Sequence, residues 1–168
     1  MKNDHNFIEV QKFNQWWLWV ILLAIGILPT LSILSMFFYR NSLDDTSFPK
    51  QGIFLSAFII LAVIYLFLVL KLKTVINQHG IKMQYFPFVT RKIDWNKVKN
   101  VKVINYGFVG GWGIRIWTKY GTVYNVKGNK GLEVKLKNGN KFIIGTQKET
   151  ELKSFLEELS KHQNINYS

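Results

Sequence analysis

The chain contains no cysteine in its 168 residues. That excludes disulfides, thiolate metal sites and cysteine nucleophiles, and leaves the compartment open. Its three histidines, His5, His79 and His162, are scattered with no two at ligand spacing, so no metal site is expected. Acids are scarce, ten against 22 Lys and Arg, for a net charge of +12. No Ser/His/Asp set or carboxylate pair stands at a suggestive spacing. Asp94 before Trp95 reads as a turn cap, and the glutamates between 149 and 158 read as the wet face of a helix. The chain is therefore expected to be no enzyme, with no catalytic residue and no cofactor.

A phosphate loop is also missing. Gly107 to Gly113 is rich in glycine, but Ile114-Arg115-Ile116-Trp117 follows, which is strand-like. A phosphate loop needs a helix opening there and a Gly-Lys-Ser/Thr ending.

Long apolar runs are abundant. Trp16 to Phe38 is uncharged over 23 residues and Ile53 to Leu70 over 18. A bilayer core about 30 Å thick takes roughly 20 apolar residues in a helix. The reading is a transmembrane hairpin over 16–72, with spans near 16–38 and 53–71. The first run exceeds the 7–15 residues of a signal peptide and ends in Met36-Phe37-Phe38-Tyr39 with no cleavage pattern. Lys and Arg are denser before the first run and after the second than in the connector from Asn41 to Gly52. That asymmetry predicts an inner-membrane, multi-pass protein with both termini cytoplasmic. Residues 1–15 are assigned to a cytoplasmic N-terminal segment.

Between Lys71 and Lys141 there are fifteen Lys or Arg and two acids, Asp94 and Glu133. The positive excess therefore lies beyond the apolar runs. From Thr74 the pattern alternates with period two, as in half-buried strands. Strands are expected near 73–78, 81–86, 91–94, 98–105, 113–118, 122–127, 132–137 and 141–144. His79-Gly80, Lys119-Tyr120-Gly121 and Asn138-Gly139 mark turns. Thr146 with Glu149 forms a capping-box pattern, and Leu152, Phe155, Leu156 and Leu159 then fall on one helical face.

Thr74-Val75-Ile76-Asn77-Gln78-His79-Gly80-Ile81, Arg91-Lys92-Ile93-Asp94-Trp95 and Val98-Lys99-Asn100-Val101 resemble the bacterial pleckstrin-homology (PH) domain membrane proteins. Gly111-Trp112-Gly113-Ile114-Arg115, Tyr124-Asn125-Val126 and Gly145-Thr146-Gln147 resemble a subgroup with two N-terminal transmembrane helices. The resemblance implies an α+β fold: the hairpin, then over 73–168 a cytoplasmic PH-like β-barrel or roll of about seven strands capped by a C-terminal helix. It implies no defined reaction.

Three groups of residues are candidates for binding. Lys71, Lys73, Lys82, Arg91 and Lys92 are candidate contacts to anionic lipid headgroups. Phe108, Val109 and Trp112 form a candidate interfacial tip in the glycine-rich turn. Arg115 either stacks on Trp117 or Tyr124 or binds an anionic ligand. The expected function is a membrane-anchored binding or scaffold protein. Its partners are anionic lipid headgroups and an unidentified protein, with no nucleic acid. The alternative is an accessory subunit of an inner-membrane transport or envelope-assembly complex, acting through the hairpin.

Overall fold

The computed structural model describes residues 6–38, 50–162 and 165–167, except for some side chains near the ends and in the second half of the first helix and at the start of the second. The chain divides into two compact units, residues 14–69 and the remainder.

The larger unit is two sheets and a helix. The first sheet has the order β1 (Phe7–Lys12), β2 (Lys71–Asn77), β3 (Gly80–Phe86) and β4 (Val89–Asp94), all antiparallel. A short 3-10 turn, Trp95–Lys97, leads to the second sheet. That sheet comprises β5 (Val98–Asn105), β6 (Gly113–Thr118), β7 (Gly121–Asn125), β8 (Lys130–Leu136) and β9 (Lys141–Gly145). Its spatial order is β5-β8-β9-β7-β6, with β7 and β9 parallel. Helix α3 (Glu149–His162) follows.

Period-two alternation builds the first sheet. Leu72, Thr74, Ile76, Ile81, Met83 and Tyr85 are buried, and the strand residues that alternate with them face outward. The buried face meets the second sheet, where Arg91 lies over the rings of Tyr124 and Phe142. The second sheet is covered on both sides. Tyr106, Val109 and Ile104 pack on Val123 and Ile143. Strands covered on both faces lose their alternation, which explains the buried run Phe142-Ile143-Ile144-Gly145. Gly131 has no room for a side chain: a Cβ would lie 2.6 Å from Ile143 and 3.1 Å from Tyr106. Leu152 and Leu156 are the buried residues of α3, and Phe155 meets Phe7 with ring centroids 6.0 Å apart.

Two differences from the sequence reading concern this unit. The strands form sheets of four and five, with no pairing between the sheets among the described residues, so there is no closed barrel. The polar N-terminal segment supplies β1, whose buried side chains are Phe7, Glu9 and Gln11.

The smaller unit is a pair of helices, α1 (Trp16–Phe38) and α2 (Lys50–Val69). Gly26 faces Ile60, and Thr30 Oγ1 donates to the carbonyls of Gly26 and Ile27. Leu23, Leu28, Phe54, Phe58 and Leu61 are among the many exposed apolar side chains.

The expected transmembrane hairpin is corrected here. Among the described residues, no helix is long and apolar enough to cross a membrane. The inner-membrane, multi-pass assignment and the integral membrane partner fall with it. Lys2 and Arg40, which the predicted orientation counted, lie outside the described residues, as do Tyr39 and the connector residues 41–49.

Candidate functional site

The outer face of the first sheet collects lysines. Pairing places Lys12 opposite Lys71, and Lys82 opposite Lys92, with Lys73 between Val10 and Gln84. Directly opposed residues share a face with Cα atoms about 4.5–5.5 Å apart, and like charges there are destabilising. Among the strand residues of this face, Asp94 is the single carboxylate. The ion pairs seen among the described residues lie elsewhere: Lys130 and Lys153 with Glu149, Lys135 with Glu133, Lys148 with Glu151. Apolar side chains lie among the lysines. Ile8 and Val10 are about half exposed, and Lys71 Nζ sits 5.3 Å above the Phe86 ring.

Four of the five sequence candidates, Lys71, Lys73, Lys82 and Lys92, thus come together. Arg91 does not join them. It belongs to the opposite face, opposite buried Met83, and its guanidinium stacks 5.5 Å from Tyr124 and 5.4 Å from Phe142. Lys12 takes a place on the lysine face, brought there by β1. A strand reading of Phe7–Lys12 would have found it.

The glycine-rich segment divides as well. Phe108 is 86% exposed and Trp112 37%, while Val109 packs back on the Tyr106, Val123 and Ile143 cluster. The segment overhangs a cleft of about 320 Å³ lined in part by Gly107, Gly111, Trp112, Asn125 and Asn129. Gly110, Gly111 and Gly113 have φ of 82°, 117° and 115°, a region closed to most side chains.

Beneath this loop lies a polar network. Asn125 Nδ2 donates to Tyr106 Oη at 3.0 Å, and Asn125 Oδ1 accepts from the Gly113 amide at 3.0 Å. Tyr106 Oη donates to the Gly128 carbonyl at 3.3 Å, and Tyr85 Oη to the Asn125 carbonyl at 3.4 Å. Burial pushes the Tyr85 hydroxyl up to about 12, opposed by the nearby Arg115 charge. Burial also raises Tyr106, opposed by the hydrogen bond from Asn125.

Arg115 on β6 pairs with Val123 of β7. Its guanidinium lies against Gly111: a Cβ there would stand 2.6 Å from Nη2. Arg115 Nε is buried with no hydrogen-bond partner. The cation over Tyr124 is that of Arg91, and Trp117, at φ 58°, is 94% exposed.

Among the described residues, no group of three or more His, Asp or Glu side chains is placed to hold a metal ion. No protein-family model matches the chain, and no curated protein matches it either. The resemblance to two-span bacterial PH membrane proteins is therefore not upheld. Its motifs are short, its hairpin is not supported by the described helices, and its barrel is replaced by two sheets.

Proposed function

We propose that this chain is a binding protein without catalysis of its own, whose lysine-bearing sheet face contacts anionic lipid headgroups peripherally. The observation that carries this reading is the alignment of Lys12, Lys71, Lys73, Lys82 and Lys92 on one face, opposed in two like-charge pairs. Such pairs work against folding, so an external anion relieves a cost that the fold itself bears. A sheet face presents its charges as an array, which suits a planar anionic surface. Each basic residue near such a surface contributes about 1 kcal/mol. Ile8 and Val10 add apolar contact between the charges.

The test is co-sedimentation of the full chain with vesicles of neutral lipid and of neutral lipid doped with an anionic one. Binding that grows with anionic content and falls with salt supports the reading. Equal binding to both vesicle types overturns it.

A further inference from the structure

We infer that the β3–β4 turn, Phe86-Pro87-Phe88, enters the bilayer interface when the lysine face docks, so that the sheet meets an anionic membrane tilted onto this end, with Lys12 and Lys71 at headgroup level. The inference rests on the lipid reading proposed above. It adds which element penetrates and which end of the sheet leads.

The first observation is the make-up of the turn. Hairpin turns are ordinarily built from Gly, Pro, Asn, Asp and Ser. The turn between β2 and β3, at the other end of this sheet, is polar in that way. There Asn77 Oδ1 accepts from the His79 and Gly80 amides at 2.9 and 3.2 Å. The β3–β4 turn is apolar throughout. Phe86 and Phe88 flank an exposed Pro87, and the two rings are 39% and 59% exposed. Rings left in water at a tip gain nothing from the fold, whereas removing them from water is favourable.

The second is charge beside the tip. Lys12, Lys71 and Phe86 are successive partners across β1, β2 and β3, so they share the outer face in one row. Lys71 Nζ stands 5.3 Å above the Phe86 ring. An aromatic tip backed at once by lysines matches the layering of an anionic interface. Rings sit at the boundary with the acyl chains, and ammonium groups reach back to the headgroups.

The third is a low cost of drying the backbone. Pro87 has no amide hydrogen, and the Phe88 amide already donates to the Tyr85 carbonyl at 2.8 Å. Neither residue therefore carries a free N–H into a medium where an unpaired one is costly.

The test uses the absence of cysteine from the chain. Phe88→Cys and His79→Cys variants of the full chain each carry one environment-sensitive fluorophore. They are mixed with vesicles of neutral lipid doped with an anionic one. Emission at position 88 should shift to the blue and be quenched by bromines placed on the acyl chains, and emission at position 79 should not. In co-sedimentation, Phe86→Ser/Phe88→Ser should weaken binding about tenfold through lost apolar contact. That factor should hold as salt rises, whereas the effect of Lys12→Gln/Lys71→Gln should shrink. Vesicle binding with position 88 still reporting water overturns the insertion and leaves the headgroup reading standing. So does an equal shift at position 79, or full binding by the serine variant. No binding to anionic vesicles removes both.

Discussion

Glu9 on the first strand and Thr146, 137 residues later, are joined by a buried hydrogen bond of 2.6 Å from the threonine hydroxyl to Oε2. Oε1 of the same carboxylate accepts from the Gln147 amide at 2.7 Å. Gln11, two residues along β1, donates to the Gly145 carbonyl at 2.7 Å and accepts from Gln147 Nε2. The Thr146 oxygen in turn accepts from the Lys148 amide at the entry to α3. A short N-terminal strand is thus fastened to the chain segment that launches the C-terminal helix.

Glu9→Ala would leave the Thr146 hydroxyl and the Gln147 amide without this acceptor. A buried group left unsatisfied costs about 1–3 kcal/mol. Denaturant unfolding of the full chain should show a loss of that order, with Thr146→Val non-additive to it because both act on one network.

This clasp also shows where the sequence was legible and where it was not. The strands after Lys71 announce themselves because their buried faces are apolar, as in Leu72, Ile76, Ile81 and Met83. In β1 the pattern is inverted: Ile8 and Val10 face out, while Glu9 and Gln11 face in. Polar burial is stabilised only by partners far along the chain, which no local pattern reveals. The capping-box pattern shifted for a related reason. Glu149 turns to Lys130 and Lys153, both at 2.8 Å, rather than back to the residue-146 backbone. In the sequence the lysine face is only a set of cations between Lys71 and Lys92. Register then separated Arg91 from it and added Lys12. The polar network under the glycine loop joins Tyr85, Tyr106 and Asn125, which lie too far apart in sequence to suggest one another.

Tyr85 should make stability fall in alkali. Its pKa is raised from 10 to about 12, chiefly by burial. The folded protein therefore holds this proton more tightly than the unfolded chain. The contribution is complete below pH ~10 and is lost as pH rises toward ~12. Tyr85→Phe should flatten that part of the stability profile, and tyrosinate absorbance should show one fewer late-titrating tyrosine. An unchanged profile would count against its burial.

Glu149 acts at the other end of the scale. Hydrogen bonds from Lys130 and then Lys153 hold its carboxyl at about 2, below the ordinary carboxylate value of 4.5. A depressed carboxylate favours the fold above its unfolded value, and that contribution is lost as pH falls toward ~2. Its exposure means that salt should screen the effect. Glu149→Gln should reduce the acid sensitivity of unfolding at low salt more than at high salt. A variant with the same acid profile as the unaltered chain would contradict this.

The central claim is that the outer face of the first sheet binds anionic headgroups by charge. The most direct measurement compares the full chain with its Lys12, Lys71, Lys73, Lys82 and Lys92 to Gln variant on anionic vesicles across a salt series. Surface charges are screened over about 8 Å at physiological ionic strength. The account predicts that the variant loses several kcal/mol of binding at low salt, at about 1 kcal/mol per lysine. It also predicts that the difference shrinks as salt rises, and that the variant is at least as resistant to denaturant, because two like-charge pairs are gone. A variant that binds anionic vesicles as tightly as the unaltered chain, with the same salt dependence, would contradict the account.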